Sequence, residues 1–281
     1  NNLRFVDHVA LMGLEITGYT RANLEDLWID PWEYKDSLSE AVNKHKIASY
    51  TDLSDMLENE KLDLVILCTP SGLHPKQAIL AAKHGVNVVS EKPMATKYSD
   101  GLAMVAACDT AKVRLFVVKQ NRRNATLQLL KRAVSEGRFG QIKMVHLNVF
   151  WTRPQEYYDA GGGWRGTWEY DGGAFMNQAS HYVDLLDWLV GPISKVYANT
   201  ATLGRQIEAE DTATVNIEWE NGALGTMAVT MLTYPKNMEG SFTILGEKGT
   251  VKIGGNAVND IEKWEFVDSS YDDEKIKENS Y

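Results

Sequence analysis

Three short apolar segments separated by two helical patterns constrain the fold of this chain more than any other feature. Each segment is a nearly continuous apolar run, as in parallel strands that are covered on both faces. The segments are LDLVILC (62–68), VNVVS (86–90) and VRLFVVK (113–119). Helices are predicted between them at 74–85, ending at Gly85, and at 98–112. This order predicts a parallel sheet, in which ligands bind beyond the carboxyl ends of the strands.

The period of the apolar residues changes in the second half of the chain. Long alternating segments follow there, namely QIKMVHLNVFWT, ISKVYANTATL, DTATVNIEWE and ALGTMAVTML. Asn221-Gly222 joins the last two and is a strong hairpin signal. Helices are predicted at about 125–136 and 174–189. We therefore predict an α/β chain, with a Rossmann-like parallel-sheet domain at 1–122 and an α+β domain with a mostly antiparallel sheet at 123–281.

Composition excludes several classes of partner. The 281 residues carry a formal net charge of −9, which argues against nucleic acid and anionic membranes as partners because those surfaces require clustered positive charge. The two cysteines, Cys68 and Cys108, stand in apolar settings without metal-ligand spacing and are expected to be buried thiols. The first residues, NNLRFVDHVALMGLE, lack a signal-peptide pattern, and no window approaches a spanning helix, so a cytoplasmic protein is expected. The acidic ending DSSYDDEKIKENSY is predicted as a surface or frayed segment.

Polar or basic residues follow all three predicted parallel strands. The strand ends read CTPSGLH (68–74), SEKPMA (90–95) and VKQNRRN (118–124), and all three should open on one edge of the sheet. Polar turns are normal at any single strand end, so the functional interpretation depends on the coincidence of three. Together they favour a ligand site at this edge.

Lys92 is the candidate proton-transfer residue at that edge. A lysine at the rim of a parallel sheet is expected to be partly desolvated, which lowers its pKa and leaves its ammonium available to a ligand hydroxyl. Pro93 restricts residue 92 to an extended conformation, and the peptide bond between them is a candidate for the cis form.

A second set of candidates lies on the predicted helix 174–189. Asn177, His181 and Asp184 are spaced i, i+4, i+7 and would share one helix face. A neutral histidine there can act as a general base near its reference pKa of about 6.5. The alternatives are a core histidine bonded to Asp184 and, more weakly, a metal site, for which no third ligand stands nearby. No metal is predicted.

The segment before that helix, RPQEYYDAGGGWRGTWEYDGG (153–173), is unusually long for a loop. It combines Trp164 and Trp168 with two tyrosines and with Arg153 and Arg165. Aromatic and arginine side chains together suit a nucleotide or sugar ligand. Packing of the loop onto the sheet is the alternative.

The combination of CTPSGLH, EKPMA, KQNRRN, and WR followed by GGAFMNQASHYVD resembles the Gfo/Idh/MocA family of NAD(P)-dependent sugar oxidoreductases. Further stretches, including FWTRP, TMLTYPKNMEGS and ILGEKGTV, resemble the members that oxidise UDP-N-acetylglucosaminuronic acid at carbon 3 in O-antigen and other surface-polysaccharide (lipopolysaccharide) biosynthesis. The resemblance runs from about residue 38 to 281. It implies NAD as cofactor, a second-domain sheet that also builds a homo-tetramer or dimer, and a 3-keto product that an aminotransferase consumes.

The resemblance also implies roles for individual residues. His181, assisted by Lys92, would handle the proton of the sugar hydroxyl. Cofactor contacts would fall on Thr69, Pro70, Ser71, His74, Glu91, Lys92, Gln120, Trp164 and Arg165. The UDP-linked amino-uronic acid would contact Arg153, Asn177, Gln178, Ser180, Tyr234 and Lys236. Local cations of this kind would meet the negative charges of such a substrate, about three in number, on a chain that is acidic as a whole.

The first thirty residues depart from the family pattern. They contain Gly13 and Gly18 but no GxGxxG turn, and Asp30 is the one candidate for an acidic ribose contact. The chain is also expected to lack the C-terminal segments of the family. Two alternatives to a dehydrogenase of the UDP-linked uronic acid therefore stay open. One is a non-catalytic relative that binds a sugar nucleotide, and the other is a dehydrogenase of another sugar.

Overall fold

The computed structural model describes residue 48, residues 50–269 and residues 273, 274 and 276. The chain divides into two compact units, of which the first ends at Val118 and the second begins at Lys119. The predictions on the glycine-poor N-terminal turn and on Asp30 lie outside the described residues.

A three-stranded parallel sheet forms the centre of the first unit. Its strands are β1 (Leu64–Leu67), β2 (Asn87–Ser90) and β3 (Leu115–Val117), in that order across the sheet. Its helices are α1 (Leu53–Asn59), α2 (His74–Lys83) and α3 (Tyr98–Ala111). Val65 pairs with Val88, and Val89 with Phe116. The predicted Rossmann-type sheet is confirmed, and no end of its strands or of the two predicted helices differs from the prediction by more than two residues.

Local signals in the sequence fix where these helices begin and end. The Asp52 carboxylate accepts hydrogen bonds from the N–H groups of Ser54 (2.7 Å) and Asp55 (3.3 Å) and so caps α1. Helix α2 has a proline in its first turn and is followed by Gly85, whose φ of 74° is the left-handed conformation that ends helices. Cys108 is buried in the core of this unit, whereas Cys68 is only half-buried, which corrects the expectation for Cys68.

A seven-stranded sheet dominates the second unit, in the order β10-β9-β8-β4-β7-β6-β5. The strands are β4 (Ile142–Phe150), β5 (Ile193–Ala201), β6 (Thr212–Trp219), β7 (Leu224–Thr230), β8 (Glu239–Gly246), β9 (Gly249–Gly254) and β10 (Asp260–Phe266). The helices are α4 (Ala125–Ser135), α5 (Gln155–Asp159), α6 (Gly173–Met176) and α7 (Ser180–Leu185). Alternate residues of β4, such as Val145, Leu147 and Val149, are buried and pack in one core with residues of α4 and α7.

The predicted mostly antiparallel sheet is confirmed, and so is the hairpin, in which β6 and β7 pair on either side of Asn221-Gly222. One pairing differs from the expectation, since β4 lies parallel to β7. The chain leaves β4 for the helices and returns through β5 and β6, which brings β7 alongside β4 in the same direction. Strands β8, β9 and β10 were not among the predicted segments.

The single helix predicted at 174–189 is wrong. Helix α6 ends at Met176, three residues form a turn, α7 runs from Ser180, and a π-helical turn follows at Leu186–Val190. Backbone bonds continue through the break, since the Asn177 N–H donates to the Gly173 carbonyl (3.0 Å). Side chains add to them: Asn177 Nδ2 donates to Asp171, and Ser180 Oγ donates to the Asn177 carbonyl (3.0 Å). In the described parts of the chain, no helix is long and apolar enough to cross a membrane.

The prediction of a frayed acidic ending is wrong at Asp273, which is 2% exposed. Arg138 donates two hydrogen bonds to its carboxylate (2.8 and 2.6 Å), and Trp264 Nε1 donates a third (2.6 Å). A carboxylate can be buried when its oxygens are paired in this way. This residue therefore anchors the segment after β10 to the second unit.

Gly240 in β8 provides a test of the packing of α7. A Cβ atom there would lie 2.1 Å from the Tyr182 hydroxyl oxygen and 2.6 Å from the Asn256 carbonyl oxygen. We expect Gly240→Ala to lower the free energy of unfolding by about 1–3 kcal/mol because the core is overpacked. At Gly101 in α3 the nearest atom would be 3.7 Å away, so the control Gly101→Ala should be neutral or stabilising by about 0.5–1 kcal/mol. Urea unfolding of both variants measures this difference, and equal effects would contradict the packing described.

Candidate functional site

In the first unit, the turns that follow β1 and β2 lie side by side because the two strands pair in parallel. The Glu91 N–H donates to the Leu67 carbonyl (2.9 Å), which continues the pairing to the end of the strands. Thr69 and Pro70 follow β1, and Ser71 begins a 3-10 turn that leads directly into α2. The described edge thus has the form expected where a helix begins next to the ends of parallel strands.

His74 connects the two turns from the inside. Its Nδ1 lies 2.9 Å from the Pro93 carbonyl oxygen and its Nε2 lies 2.8 Å from the Thr69 carbonyl oxygen. The side chain is 1% exposed, and burial lowers its pKa although the two carbonyls and the charge of Glu91 act in the opposite direction. His74 therefore holds both turns in place, and its ring nitrogens already face protein carbonyls.

Glu91 and Lys92 are half-buried at the end of β2. The Glu91 carboxylate accepts the N–H of Lys92 (3.0 Å), which fixes the backbone between them. The bond from Lys92 to Pro93 is cis, which confirms the prediction made for this pair. The geometry presents two half-buried charged side chains at one strand end.

In the second unit, His181 lies on α7 and is 7% exposed. The preceding residue, Ser180, is 8% exposed. Asn177 lies in the turn that precedes the helix, where the buried Asp171 fixes it. Asp171 also accepts the N–H of Gly166 (2.7 Å). One carboxylate therefore ties the glycine-rich segment to the start of the helix that carries His181.

Asp184 does not share a continuous helix with Asn177. Its observed partner is Arg122, whereas the sequence analysis considered a bond to His181. Both of its carboxylate oxygens accept hydrogen bonds from the Arg122 guanidinium, each at 2.7 Å. Arg122 belongs to the 3-10 turn Gln120–Arg123, in which Gln120 is exposed. This bidentate pair attaches the turn to α7.

Arginine and aromatic side chains alternate along the segment that precedes α6. The Arg153 guanidinium carbon lies 5.3 Å from the ring centre of Trp151 and 5.5 Å from that of Tyr157. The Arg165 guanidinium carbon lies 4.9 Å from Tyr157 and 4.6 Å from Trp164. We call these five residues the arginine–aromatic series. It brings the predicted residues Arg153, Trp164 and Arg165 into one group.

Tyr234 and Lys236 lie on an exposed turn between β7 and β8, and Tyr234 is 94% exposed. Asn237 connects this turn to the arginine–aromatic series, because its side-chain oxygen accepts the N–H of Thr152 (2.9 Å) and a weak bond from Arg153 (3.5 Å). Gln178 joins the series from the other side by donating to the Tyr157 hydroxyl (3.3 Å). Within the described residues, the buried Gln178 Oε1 accepts no hydrogen bond.

Three buried carboxylates that the sequence analysis missed organise the surrounding backbone. Asp171 has the role given above, and Glu210 accepts the N–H of Phe175 (2.9 Å) at the start of α6. Asp211 accepts the N–H groups of Leu203, Gly204 and Arg205 at 2.9 to 3.0 Å. Burial raises the pKa of Glu210, although its backbone hydrogen bond opposes the rise. The only signal in the sequence was the placement of acidic residues beside glycines and turns, which is common in any protein.

Two parts of the chain match models of one protein family. Residues 33–119 match the model of the oxidoreductase family with an NAD-binding Rossmann fold, and residues 127–252 match the GFO/IDH/MocA C-terminal domain. This chain belongs to the Gfo/Idh/MocA family of oxidoreductases. The predictions of an oxidoreductase and of NAD as the family's cofactor are confirmed.

Two solved structures are similar over most of the chain. The WlbA dehydrogenase from Bordetella pertussis, in complex with NADH and UDP-GlcNAcA, is 64% identical, with a TM-score of 0.84 over 87% of this chain and 70% of that chain. The WlbA enzyme from Chromobacterium violaceum, with the same two ligands, is 65% identical, with a TM-score of 0.84 over 86% of this chain and 70% of that chain.

Curated relatives are more distant. A D-apiose dehydrogenase from Paraburkholderia graminis is 30% identical over 175 residues, which cover 62% of this chain and 45% of that protein. The chain spans 45% to 60% of the length of the first four curated relatives that it matches.

The position of His74 predicts a pH dependence of stability. Because its pKa is lower in the folded state than in the unfolded chain, its contribution is fully present above about pH 6.5 and is lost as the pH falls through the folded pKa. His74→Asn should therefore flatten the fall in unfolding free energy between neutral and mildly acidic pH. The exposed His84 provides the matched control His84→Asn. An unchanged slope in His74→Asn would contradict this assignment.

The role of Asp171 predicts a second effect. In Asp171→Asn an NH2 group, which cannot accept a hydrogen bond, replaces one carboxylate oxygen, so either the Gly166 N–H or the Asn177 side chain loses its acceptor. We expect a loss of about 1–3 kcal/mol of stability and faster amide hydrogen exchange at 164–180. Asp268→Asn, at an exposed position whose observed bond uses the backbone carbonyl, is the control. Unchanged exchange at 164–180 in Asp171→Asn would show that this carboxylate does not organise the segment.

Proposed function

We propose that this protein oxidises the 3-hydroxyl of UDP-N-acetylglucosaminuronic acid to the ketone, with NAD as the hydride acceptor. The observation that carries the proposal is the 64% identity, over 87% of the chain, to an enzyme crystallised with NADH and UDP-GlcNAcA. The chain covers 70% of that enzyme, so the activity is inferred for the whole protein from this part.

The described edge of the first unit is compatible with a dinucleotide. The backbone of Thr69–Ser71 leads through a 3-10 turn into α2. Glu91 and Lys92 lie at the end of the neighbouring strand, β2. We assign Thr69, Pro70 and Ser71 to cofactor contact, with Glu91, Lys92, Gln120, Trp164 and Arg165. His74 is assigned to the support of these turns, because both ring nitrogens already face backbone carbonyls.

The second unit offers groups that suit a sugar nucleotide. Within the arginine–aromatic series, the Arg153 guanidinium lies close to the rings of Trp151 and Tyr157, which suits a phosphate and a base. Gln178 Oε1 is buried without a hydrogen-bond donor among the described residues, and a buried acceptor of this kind favours a ligand donor such as a hydroxyl or an amide N–H. Arg153, Asn177, Gln178, Ser180, Tyr234 and Lys236 remain our candidates for substrate contact.

The chemistry divides between cofactor and protein. NAD, when bound, supplies the acceptor for the hydride from carbon 3. His181 accepts the proton of the 3-hydroxyl as general base, and Lys92 donates a hydrogen bond to the oxygen, which favours loss of that proton. The enclosed position of His181 on α7 supports this role, because a fixed imidazole can meet a hydroxyl in a constant geometry.

The assembly and the setting belong to the same proposal. Strand β5 lies at the edge of its sheet and is exposed along most of its length, with Val196 and Tyr197 more than half exposed. Such an edge favours association, and we propose a homo-tetramer built on this sheet. We also propose that the reaction takes place in the cytoplasm and belongs to the biosynthesis of a lipopolysaccharide or related surface polysaccharide.

The activity test uses the full-length protein with NAD and UDP-N-acetylglucosaminuronic acid, followed by the absorbance of NADH. We expect turnover, and we expect Lys92→Met to lower it by about 10²-fold or more because the hydrogen bond to the reacting oxygen is lost. Lys97→Met, five residues away at an exposed position before α3, should retain the activity.

Two results would overturn the proposal. Tight binding of the UDP-sugar without NADH binding or turnover would identify a non-catalytic relative. Turnover of a neutral hexose or an inositol with no preference for the UDP-uronate would identify a dehydrogenase of another sugar.

A further inference from the structure

Lys119 is a cation of the second unit that the roles above leave unused. It immediately precedes the 3-10 turn Gln120–Arg123, and its side chain is half-buried. Within the described residues, its ammonium takes part in no hydrogen bond and no ion pair. Burial lowers its pKa, which Asp184 partly offsets and Arg122 reinforces. A lysine that is partly desolvated without an ion pair is costly unless a further group supplies negative charge.

The neighbouring charges already have partners. Both oxygens of Asp184 accept from the Arg122 guanidinium at 2.7 Å. Lys131 donates to the Trp188 carbonyl, and its ammonium lies 5.4 Å from the ring centre of Trp188. Arg122 lies 5.4 Å from the same ring centre. Because Arg122 and Asp184 compensate each other, the positive charge of Lys119 remains available to an anion.

The position of Lys119 points to the reacting end of a substrate. The turn that follows it packs on α7 through the Arg122–Asp184 pair. On a helix, residues three apart are neighbours on one face, so His181 lies on the same face as Asp184. Lys119 immediately precedes the turn that Arg122 bonds to Asp184, so its backbone lies near the side of α7 that carries His181.

We propose that Lys119 binds the carboxylate of the uronic acid and so selects the acidic sugar over its neutral counterpart. This inference rests on the proposed function, which supplies a sugar held next to His181. The carboxylate at carbon 6 is the one anionic group on the sugar ring, since the other negative charges lie on the diphosphate. A half-buried ammonium suits it because a charge-assisted hydrogen bond is stronger where water is partly excluded.

The proposed contact predicts different effects on substrate binding and on turnover when Lys119 is replaced. The carboxylate does not take part in the oxidation at carbon 3, so its contact with Lys119 is equally strong in the ground state and in the transition state. Loss of such a contact raises KM with little change in kcat. A residue with a purely structural role would instead affect all ligands alike.

The test compares Lys119→Met and Lys119→Arg with the wild-type protein. Calorimetry measures the Kd of UDP-N-acetylglucosaminuronic acid, of UDP-N-acetylglucosamine, which has a hydroxymethyl group in place of the carboxylate, and of UDP. For Lys119→Met we expect about 10- to 100-fold weaker binding of the uronate and less than about threefold change for the other two ligands. Lys119→Arg should recover part of the loss, and the exposed Lys263→Met should change nothing.

The outcomes separate this inference from the proposed function. Equal weakening of all three ligands, or no weakening of the uronate, would overturn the role of Lys119 even if the wild type oxidises the substrate. Selective weakening of the uronate in a protein that binds but does not oxidise it would support the role and reject the proposed oxidation. A wild-type protein that binds no UDP-uronate would reject both.

Discussion

The arrangement of the second unit depends on one buried carboxylate. Asp171 accepts the Gly166 N–H and the Asn177 side chain from opposite directions, and no part of it is exposed. These bonds tie the glycine-rich segment to the turn between α6 and α7, where the Asn177 N–H also donates to the Gly173 carbonyl (3.0 Å). Helix α7, which carries His181, begins at Ser180, directly after this turn. A buried acid can carry out this role because each bond that it accepts offsets part of its desolvation.

The same physical rule recurs in the charged groups nearby. The chain carries a net charge of −9, yet cations gather in the arginine–aromatic series and around Lys119. Acidic residues near them are already used: Asp184 holds Arg122, while Glu210 and Asp211 hold backbone N–H groups. The acidic side chains near these cations therefore bind other groups of the protein, and positive charge remains available to a ligand. That division would allow an acidic protein to bind the proposed substrate, which carries several negative charges.

The sequence was sufficient for the features that short-range patterns encode. Continuous apolar runs identified β1 to β3, the hairpin followed from Asn221-Gly222, and the cis form at Pro93 was foreseen from the strand end. Features that depend on distant partners were not predictable. The Asn177 side chain at the helix break is bonded to Asp171, the burial of Asp273 requires Arg138 and Trp264, and the pairing of β4 with β7 depends on the path of the chain between them. Strands β8 and β9 contain glycines at or near both ends, one of which, Gly240, allows close packing, so their apolar alternation is short.

The most direct measurement of the central claim follows the hydrogen atom that is removed from the sugar. UDP-N-acetylglucosaminuronic acid deuterated at carbon 3 is incubated with the full-length protein and NAD, and the nicotinamide product is examined by mass spectrometry. Oxidation at carbon 3 predicts that the reduced cofactor gains one deuterium. A reduced cofactor without deuterium, with the label retained in the sugar, would contradict oxidation at this position.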